Sequence, residues 1–145
     1  MDSANIRKMI QAGIQNPGLI INGWAAIKTE KDYFSRTIPK VVIKENSDLM
    51  YISRSPIPGN KPNEFIEAKK QVCVYSFPLR ALQCLLGKPR KSSVEKIEDI
   101  EILRFLEMGW NIKMIELPGS SIAVDTLEDL EVVRKKMGHR KRFSC

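Results

Sequence analysis

The segment KVVIKENSDLMYISR, residues 40–54, carries the clearest structural pattern of the chain. Apolar, β-branched and aromatic residues dominate two runs, 40–44 and 48–53, and the polar residues 45–47 separate them. Two such runs around a short polar turn are typical of antiparallel strands. The pattern therefore predicts a β-hairpin over residues 40–53.

Helical and strand patterns alternate on both sides of this hairpin. Before it, the spacing of apolar residues predicts a helix over 2–15 and a strand over 19–28, with a bulge or bend at Asn22-Gly23. After it, the patterns predict two helical turns over 64–70, a buried strand over 71–77, helices over 78–87 and 94–109, strands over 110–117 and 122–124, and a last helix over 126–137. This order indicates an α/β fold with a mixed sheet.

Length and composition describe one globular domain. The chain has 145 residues, of which 43% are hydrophobic and 28% are charged, and this length is enough for a single core. No apolar run approaches the roughly 20 residues that cross a bilayer, and the polar N-terminus does not have the pattern of a signal peptide. We therefore expect no membrane partner.

The cysteines and the single histidine, His139, argue against a metal or disulfide framework. Three cysteines, without any C-x-x-C spacing, favour a reducing cytoplasm over an oxidising compartment. Cys73 lies in the apolar run VCVYSF. It is therefore expected to be a small core residue rather than a nucleophile.

The net charge of +7 raises the question of nucleic-acid binding, but the charge is concentrated at the C-terminus. Six of the 24 basic residues lie between Arg134 and Arg142, and we expect residues 138–145 to form a disordered basic tail. No RNP-like aromatic strand and no zinc-finger spacing accompanies this charge. The sequence therefore argues against specific nucleic-acid binding.

Asp125 lies between an apolar step and a helix in the stretch SSIAVDTLEDLEVVRKKM, residues 120–137. Thr126 is a favourable N-cap, and Asp129 has the capping-box spacing, so Asp125 falls outside the helix at the carboxyl end of a short strand. Open α/β sheets bind ligands at that edge. Alternatively, Asp125 only interacts with the positive end of the helix dipole, and the spacing alone leaves both interpretations open.

No glycine-rich loop of the usual kind for nucleotide phosphates is present. The eight glycines are scattered, and neither G-x-G-x-x-G nor G-K-[ST] occurs. The sequence therefore has no recognisable motif for binding a triphosphate.

Four blocks of sequence, in this order, resemble the C-terminal half of the 3-deoxy-manno-octulosonate cytidylyltransferases. These enzymes, the CMP-Kdo synthetases, are close relatives of the acylneuraminate cytidylyltransferases. The blocks are LMYISRSPIP (49–58), VCVYSFPLRAL (72–82), EKIEDIEILRFLEMG (95–109) and AVDTLEDLEVVRKKM (123–137). The likeness extends from about residue 3 to Met137.

The resemblance implies part of a nucleotide-diphospho-sugar transferase fold, Rossmann-like, with a mixed sheet and a dimerisation hairpin. Residues 1–137 would be the C-terminal half of a cytidylyltransferase-like domain, with a dimerisation and sugar-side subdomain at about 40–78. The N-terminal, nucleotide-binding half of the family would lie upstream of residue 1. A homodimer is expected.

The family transfers CMP from CTP to a 2-keto sugar acid with Mg²⁺ as cofactor. The resemblance implies this function for the chain, as a truncated part that is inactive alone. The alternative is a non-catalytic, degenerate homologue that acts as a dimeric binding or scaffold module.

The resemblance also implies roles for individual residues. Asp125 corresponds to one of two metal-binding aspartates, with a catalytic role through Mg²⁺, whose preferred ligands are carboxylate oxygens. Arg54 corresponds to an arginine near the sugar-acid carboxylate; the alternative is an ordinary surface arginine.

Three further positions are implied to bind the sugar. Tyr75 corresponds to a tyrosine that lines the sugar pocket, although a core aromatic is the alternative. Glu101 corresponds to a glutamate that accepts hydrogen bonds from sugar hydroxyls. Gln71 occupies a position where Kdo enzymes often carry histidine, and Ile102 one where they often carry glutamine. These two differences leave the identity of the sugar acid open.

Overall fold

The structure, a computed structural model, describes residues 3–87, 90–118 and 127–138. Its helices are α1 (Ser3–Gln15), α2 (Glu30–Phe34), α3 (Leu79–Leu86), α4 (Ser93–Glu98), α5 (Ile102–Glu107) and α6 (Leu127–Gly138). Its strands are β1 (Ile20–Ala26), β2 (Lys40–Ile43), β3 (Leu49–Ser53), β4 (Lys69–Ser76) and β5 (Ile112–Glu116). The predicted hairpin is confirmed, since β2 and β3 pair antiparallel.

The five strands form one mixed sheet in the order β3-β2-β4-β1-β5. β1 and β5 are parallel, and the other neighbours are antiparallel. A parallel pair needs a long crossover connection, which the chain provides through the hairpin, β4 and the helices α3 to α5. The predicted α/β fold with a mixed sheet is confirmed.

The pairing of β1 with β4 contains the irregularity predicted at Asn22-Gly23. Asn22 lies opposite Tyr75 and Gly23 lies opposite Val72, so that β4 has two extra residues at this step. A bulge of this kind interrupts the alternation of inward and outward side chains. The prediction that Cys73 packs in the core is therefore wrong, because Cys73 lies in the bulge and is exposed.

Gly23 allows close packing beside this bulge. A Cβ atom at position 23 would lie 2.5 Å from Cδ1 of Leu117, 3.1 Å from Cγ1 of Val74 and 3.2 Å from Cβ of Val72. Only a residue without a side chain fits here unless its neighbours move.

Helices cover both faces of the sheet. On one face, α1 contributes Met9 and Ala12 to a cluster with Ile21, Ala25, Val72 and Leu117. On the other face, a larger core joins the hairpin, β1, β5, α3 and α5; its members are Ile20, Val41, Leu49, Ile52, Ala81, Ile100, Ile102, Leu103, Phe105, Ile112 and Met114. The sheet is thus the middle of three layers.

The tip of the hairpin reaches across this second core to β5. The main-chain N–H of Met114 donates to the carbonyl of Ser47 at 2.8 Å, and Asp48 pairs with Lys113 in an isolated bridge. Since β3 and β5 are the outermost strands of the sheet, this contact joins its two edges. Segment 40–78, predicted as a subdomain, contributes three strands to this same sheet.

The predicted continuous helix over 94–109 is wrong, because α4 and α5 are separated at Asp99. Asp99 has the left-handed conformation, with φ 52° and ψ 51°. In one continuous helix Ile100 and Ile102 would lie about 200° apart around the axis. The break allows both side chains to be buried, with exposures of 3% and 1%. The predicted stop at Gly109 is confirmed by its φ of +81°.

The predicted helical turns over 64–70 are also wrong. Residues 64–68 form no helix, and Lys69 begins β4. The segment instead extends the pairing of β4 with β1. The N–H of Ile27, the residue after β1, donates to the carbonyl of Ala68, the residue before β4, at 2.9 Å. The ring of Phe65 packs 5.4 Å from that of Tyr33, a contact that this extended path permits. In the described ranges no helix is long and apolar enough to span a bilayer.

Candidate functional site

A buried polar network lies where β1 pairs with the bulged part of β4. Nδ2 of Asn22 donates to the carbonyl of Val72 at 3.1 Å and to the carbonyl of Val74 at 2.9 Å. Asn22 itself is fully buried. Its side chain therefore satisfies main-chain acceptors at the point where the register of the sheet shifts.

The network continues from Asn22 to two residues that the resemblance predicted to bind the sugar. Nε2 of Gln71 donates to Oδ1 of Asn22 at 3.1 Å and to Oη of Tyr75 at 2.9 Å. Gln71 is 8% exposed; its bond to Asn22 is buried and its bond to Tyr75 is partly buried. The structure thus brings Gln71 and Tyr75 into direct contact.

Tyr75 borders both the polar network and the large core. Its ring stacks on Phe77 with centroids 5.5 Å apart, and Phe77 packs 5.0 Å from Phe105. Burial raises the pKa of the Tyr75 phenol strongly, and the nearby Cys73 and Glu101 raise it further. The phenol therefore remains neutral at physiological pH and can act as a hydrogen-bond donor.

Glu101 lies at the break between α4 and α5. The residue is exposed, and its side chain does not cap α5, which begins at the next residue. Glu101 is one of the groups that raise the pKa of the Tyr75 phenol, after burial and Cys73. The three predicted sugar-binding residues thus supply one neutral phenol, one amide and one exposed carboxyl group.

One bidentate ion pair stabilises the helix pair next to Glu101. The fully buried Glu95 accepts hydrogen bonds from Nε and Nη2 of Arg104 at 2.5 and 2.6 Å. The Arg104 guanidinium holds the pKa of the Glu95 carboxyl below its usual value. A bidentate pair of this kind fixes the relative orientation of α4 and α5.

Arg54 uses its guanidinium for main-chain carbonyls at the same break. Nε donates to the carbonyl of Glu98 at 2.7 Å, Nη2 to that of Asp99 at 3.1 Å, and Nη1 to that of Arg36 at 3.2 Å. The carboxylate of Glu98 in turn accepts from the main-chain N–H of Arg54 and from Oγ of Ser53. Arg54 therefore stabilises the end of α4, and its contact with a sugar-acid carboxylate stays a prediction.

The side chain of Lys40 binds main-chain carbonyls before and after the hairpin, including that of Arg54. Its ammonium is fully buried and donates to the carbonyls of Ser35 and Ile38, both at 2.7 Å, and of Arg54 at 2.6 Å. All three N–H donors of the ammonium are thereby used. Burial, together with the positive charge of Arg36, lowers the pKa of Lys40 to about 8.

The predicted metal ligand, Asp125, lies outside the described residues. Within the described ranges, no group of three or more histidine, cysteine, aspartate and glutamate residues could hold a metal ion. The role of Asp125 and the binding of Mg²⁺ therefore stay predictions, and no step of a reaction is derived through the metal.

Sequence reasoning missed three residues that organise this region: Asn22, Lys40 and Glu98. The predicted bulge at Asn22-Gly23 was a signal for the first, since a polar residue at a bulge in an apolar strand needs buried partners. Glu98 gave no such signal, because its partners Ser53 and Arg54 lie 45 and 44 residues earlier. Lys40 gave none, because its partners are main-chain carbonyls that carry no side-chain pattern.

Comparison with known proteins agrees with the resemblance. No family model matches the chain. The 3-deoxy-manno-octulosonate cytidylyltransferase of Thermodesulfovibrio yellowstonii is 39% identical over 117 residues, covering 75% of this chain and 45% of the relative. The enzyme of the same name from Acidobacterium capsulatum is 33% identical over 132 residues, covering 90% of this chain and 54% of the relative.

A solved structure supports the same relationship. A CMP:2-keto-3-deoxy-manno-octonic acid synthetase in complex with CTP superposes with a TM-score of 0.83 and 29% identity, covering 95% of this chain and 57% of that one. The chain thus spans about half the length of the curated relatives that it matches. Sequence and fold together show that the chain belongs to the 3-deoxy-manno-octulosonate cytidylyltransferase family and corresponds to the C-terminal part of its members.

Proposed function

We propose that this chain provides the sugar-acid side of a cytidylyltransferase, which transfers CMP from CTP to a 2-keto sugar acid. The observation that supports the proposal is the hydrogen bond from Gln71 to the hydroxyl of Tyr75, since the resemblance predicted both positions to bind the sugar. Glu101, the third such position, is exposed and is among the groups that raise the pKa of Tyr75. A neutral donor beside an accessible carboxylate suits the hydroxyl-rich surface of a sugar.

We propose that residues other than Gln71, Tyr75 and Glu101 bind the nucleotide. The sequence has no glycine-rich phosphate motif, and the chain matches only about half the length of its relatives. We propose that a polypeptide with the phosphate-binding loop of the family supplies these contacts. Asp125 would hold Mg²⁺, which would neutralise charge on the triphosphate when bound.

Calorimetric titration with 3-deoxy-manno-octulosonate and with a sialic acid tests the sugar-binding part. We expect Glu101→Gln to weaken binding of the preferred sugar, because the amide is a weaker acceptor than the carboxylate. Glu45→Gln is the matched control, since Glu45 is an exposed glutamate at the tip of the hairpin. Equal affinities for all three proteins would contradict the proposed role of Glu101.

Measurement of CMP transfer tests the catalytic part. The chain would be assayed with CTP, Mg²⁺ and the sugar acid, with and without a fragment that carries the family's phosphate-binding loop. We expect transfer only with the fragment, because phosphate positioning provides the main electrostatic stabilisation of such a reaction. Absence of both sugar binding and complemented transfer would exclude this function.

The second candidate is a non-catalytic binding module. It is favoured by the net charge of +7 and by the exposed apolar side chains of α3, where Leu79 and Leu86 are 71% and 80% exposed. An acidic partner held by charge would dissociate as salt is added. Association that is independent of salt would exclude the electrostatic form of this alternative.

A further inference from the structure

Two main-chain carbonyls fix the direction of every hydrogen bond in the buried network. The carbonyl oxygens of Val72 and Val74 can only accept, so the amide atom of Asn22 that contacts both of them must be its nitrogen. The oxygen of Asn22 therefore points toward Gln71. Because that oxygen can also only accept, the atom of Gln71 that contacts it is Nε2.

The hydrogen atoms of Gln71 are then fully used. Nε2 carries two hydrogens, and its two partners are Oδ1 of Asn22 and Oη of Tyr75. Tyr75 is therefore the acceptor in its bond with Gln71, and the proton of its own hydroxyl is left for a different partner. In this arrangement the nitrogen of Gln71 has no donor left for a ligand.

We infer that Asn22 and Gln71 are positioning residues, which hold the hydroxyl of Tyr75 as a hydrogen-bond donor to an oxygen of the bound ligand. The inference rests on the proposed function only for the identity of that ligand, a sugar acid. The direction of the network itself follows from the bulge in β4, which gives Asn22 its two carbonyl partners.

The substitution Gln71→Glu tests the contact between position 71 and the Tyr75 hydroxyl without any ligand. An ionised carboxylate at position 71 can only accept, so Tyr75 must donate its proton to it. We expect the ¹³Cζ resonance of Tyr75, identified by its loss in Tyr75→Phe, to move downfield as the new carboxyl ionises. Wild-type protein should show no such step over the same pH range, and an unchanged resonance in the variant would overturn the inference.

A measurement on wild-type protein covers the case in which Gln71→Glu does not fold. Nuclear Overhauser contacts from the side-chain NH₂ of Gln71 should reach the ring hydrogens of Tyr75, and both Gln71 amide hydrogens should exchange slowly with water. Rapid exchange of both hydrogens, or the absence of any contact with the Tyr75 ring, would overturn the inference.

A measurement of sugar affinity distinguishes failure of this inference from failure of the proposed function. We expect Tyr75→Phe to lower the affinity for 3-deoxy-manno-octulosonate by roughly three- to tenfold, as loss of one neutral hydrogen bond does. Tyr51→Phe is the control, because Tyr51 lies on β3, outside the network. The predicted nuclear Overhauser contacts of the Gln71 NH₂ group with unaltered sugar affinity would support the direction of the network and contradict the proposed sugar site.

Discussion

At the scale of single residues, Lys40 shows how a charged group becomes part of the main-chain framework. A buried ammonium is costly unless hydrogen bonds replace its water, and here three carbonyls do so. These carbonyls come from the loop before β2 and from the residue that follows β3. Lys40 therefore links both ends of the hairpin to the preceding loop.

The pKa of Lys40 predicts a pH dependence of stability. The unfolded chain keeps this lysine protonated up to its ordinary pKa of 10.5, whereas the folded protein releases the proton at about 8. Between these values the unfolded state binds more protons, so the contribution of Lys40 to the free energy of unfolding increases with pH. We expect wild-type protein to gain stability relative to Lys40→Met above about pH 8.

Urea denaturation of both proteins from about pH 7 to about pH 9.5 measures this difference, below the range where exposed tyrosines titrate. Because both proteins contain all the other titratable groups, the difference between their free energies of unfolding reports on Lys40. If the two stability curves were parallel, the shifted pKa of Lys40 would be refuted.

Gly23 gives a prediction about packing. In Gly23→Ala the new Cβ would contact Cδ1 of Leu117 at 2.5 Å, so we expect a loss of about 1–3 kcal/mol from overpacking. Gly18→Ala is the matched control, because a Cβ there meets no atom within 4 Å. Thermal denaturation of both variants provides the measurement, and equal stabilities would show that β1 can move away without cost.

At the scale of elements, the break between α4 and α5 depends on a side chain from the hairpin. Arg54 lies 44 residues before the Glu98 carbonyl that it binds. In Arg54→Lys the charge remains, but a single ammonium cannot reproduce the planar fork that serves several carbonyls. We expect faster amide hydrogen exchange at residues 98–105, with global stability lowered by about 1–3 kcal/mol.

Hydrogen exchange detected by mass spectrometry measures the effect of Arg54→Lys. The control is Arg80→Lys, which makes the same chemical change at an exposed position of α3. Equal exchange at residues 98–105 in wild-type protein and in Arg54→Lys would show that the break forms without this guanidinium.

The same break explains which elements could be predicted from the sequence. The hairpin, α1 and the end of α5 at Gly109 follow from local patterns, since turn residues and apolar spacing determine them. The separation of α4 from α5 does not, because a helical spacing continues through Asp99. The contacts of Arg54 and the burial of Ile100 decide it, and both are tertiary.

At the scale of the whole molecule, exposed apolar surface supports the expected self-association. Met50, on strand β3 of the hairpin, is 54% exposed, whereas Ile10, with a similar exposure of 57%, lies outside the hairpin on α1. The resemblance assigns dimerisation to the hairpin, so we expect light scattering at micromolar concentration to give twice the chain mass of 16.6 kDa. Met50→Lys should lower that mass, while Ile10→Lys serves as the control on α1. A monomeric mass for wild-type protein would refute the homodimer.

Only part of the candidate site could be predicted from the sequence, because some of its contacts join residues that are far apart in the chain. Alignment with the family predicted sugar-binding roles for Tyr75, in a matching motif, and for Gln71, at a position where the motif differs, and the structure joins the two by a hydrogen bond. The alignment could not predict the role of Asn22, about 50 residues earlier, because that role depends on the shifted register of β1 and β4. Arg54 was predicted as a ligand-binding residue, but its contacts with carbonyls follow from the path of α4.

The contact between the hairpin tip and β5 has a consequence for behaviour in a crowded solution. Free strand edges are the places where foreign chains add on and amyloid-like growth begins. Here the Ser47 carbonyl binds the main-chain N–H of Met114 and Asp48 pairs with Lys113, so that the turn before β3 covers part of the outermost strand β5. We expect Lys113→Ala, which removes the ion pair, to leave the edge of β5 more accessible to other chains and to aggregate faster than wild-type protein in a thioflavin assay.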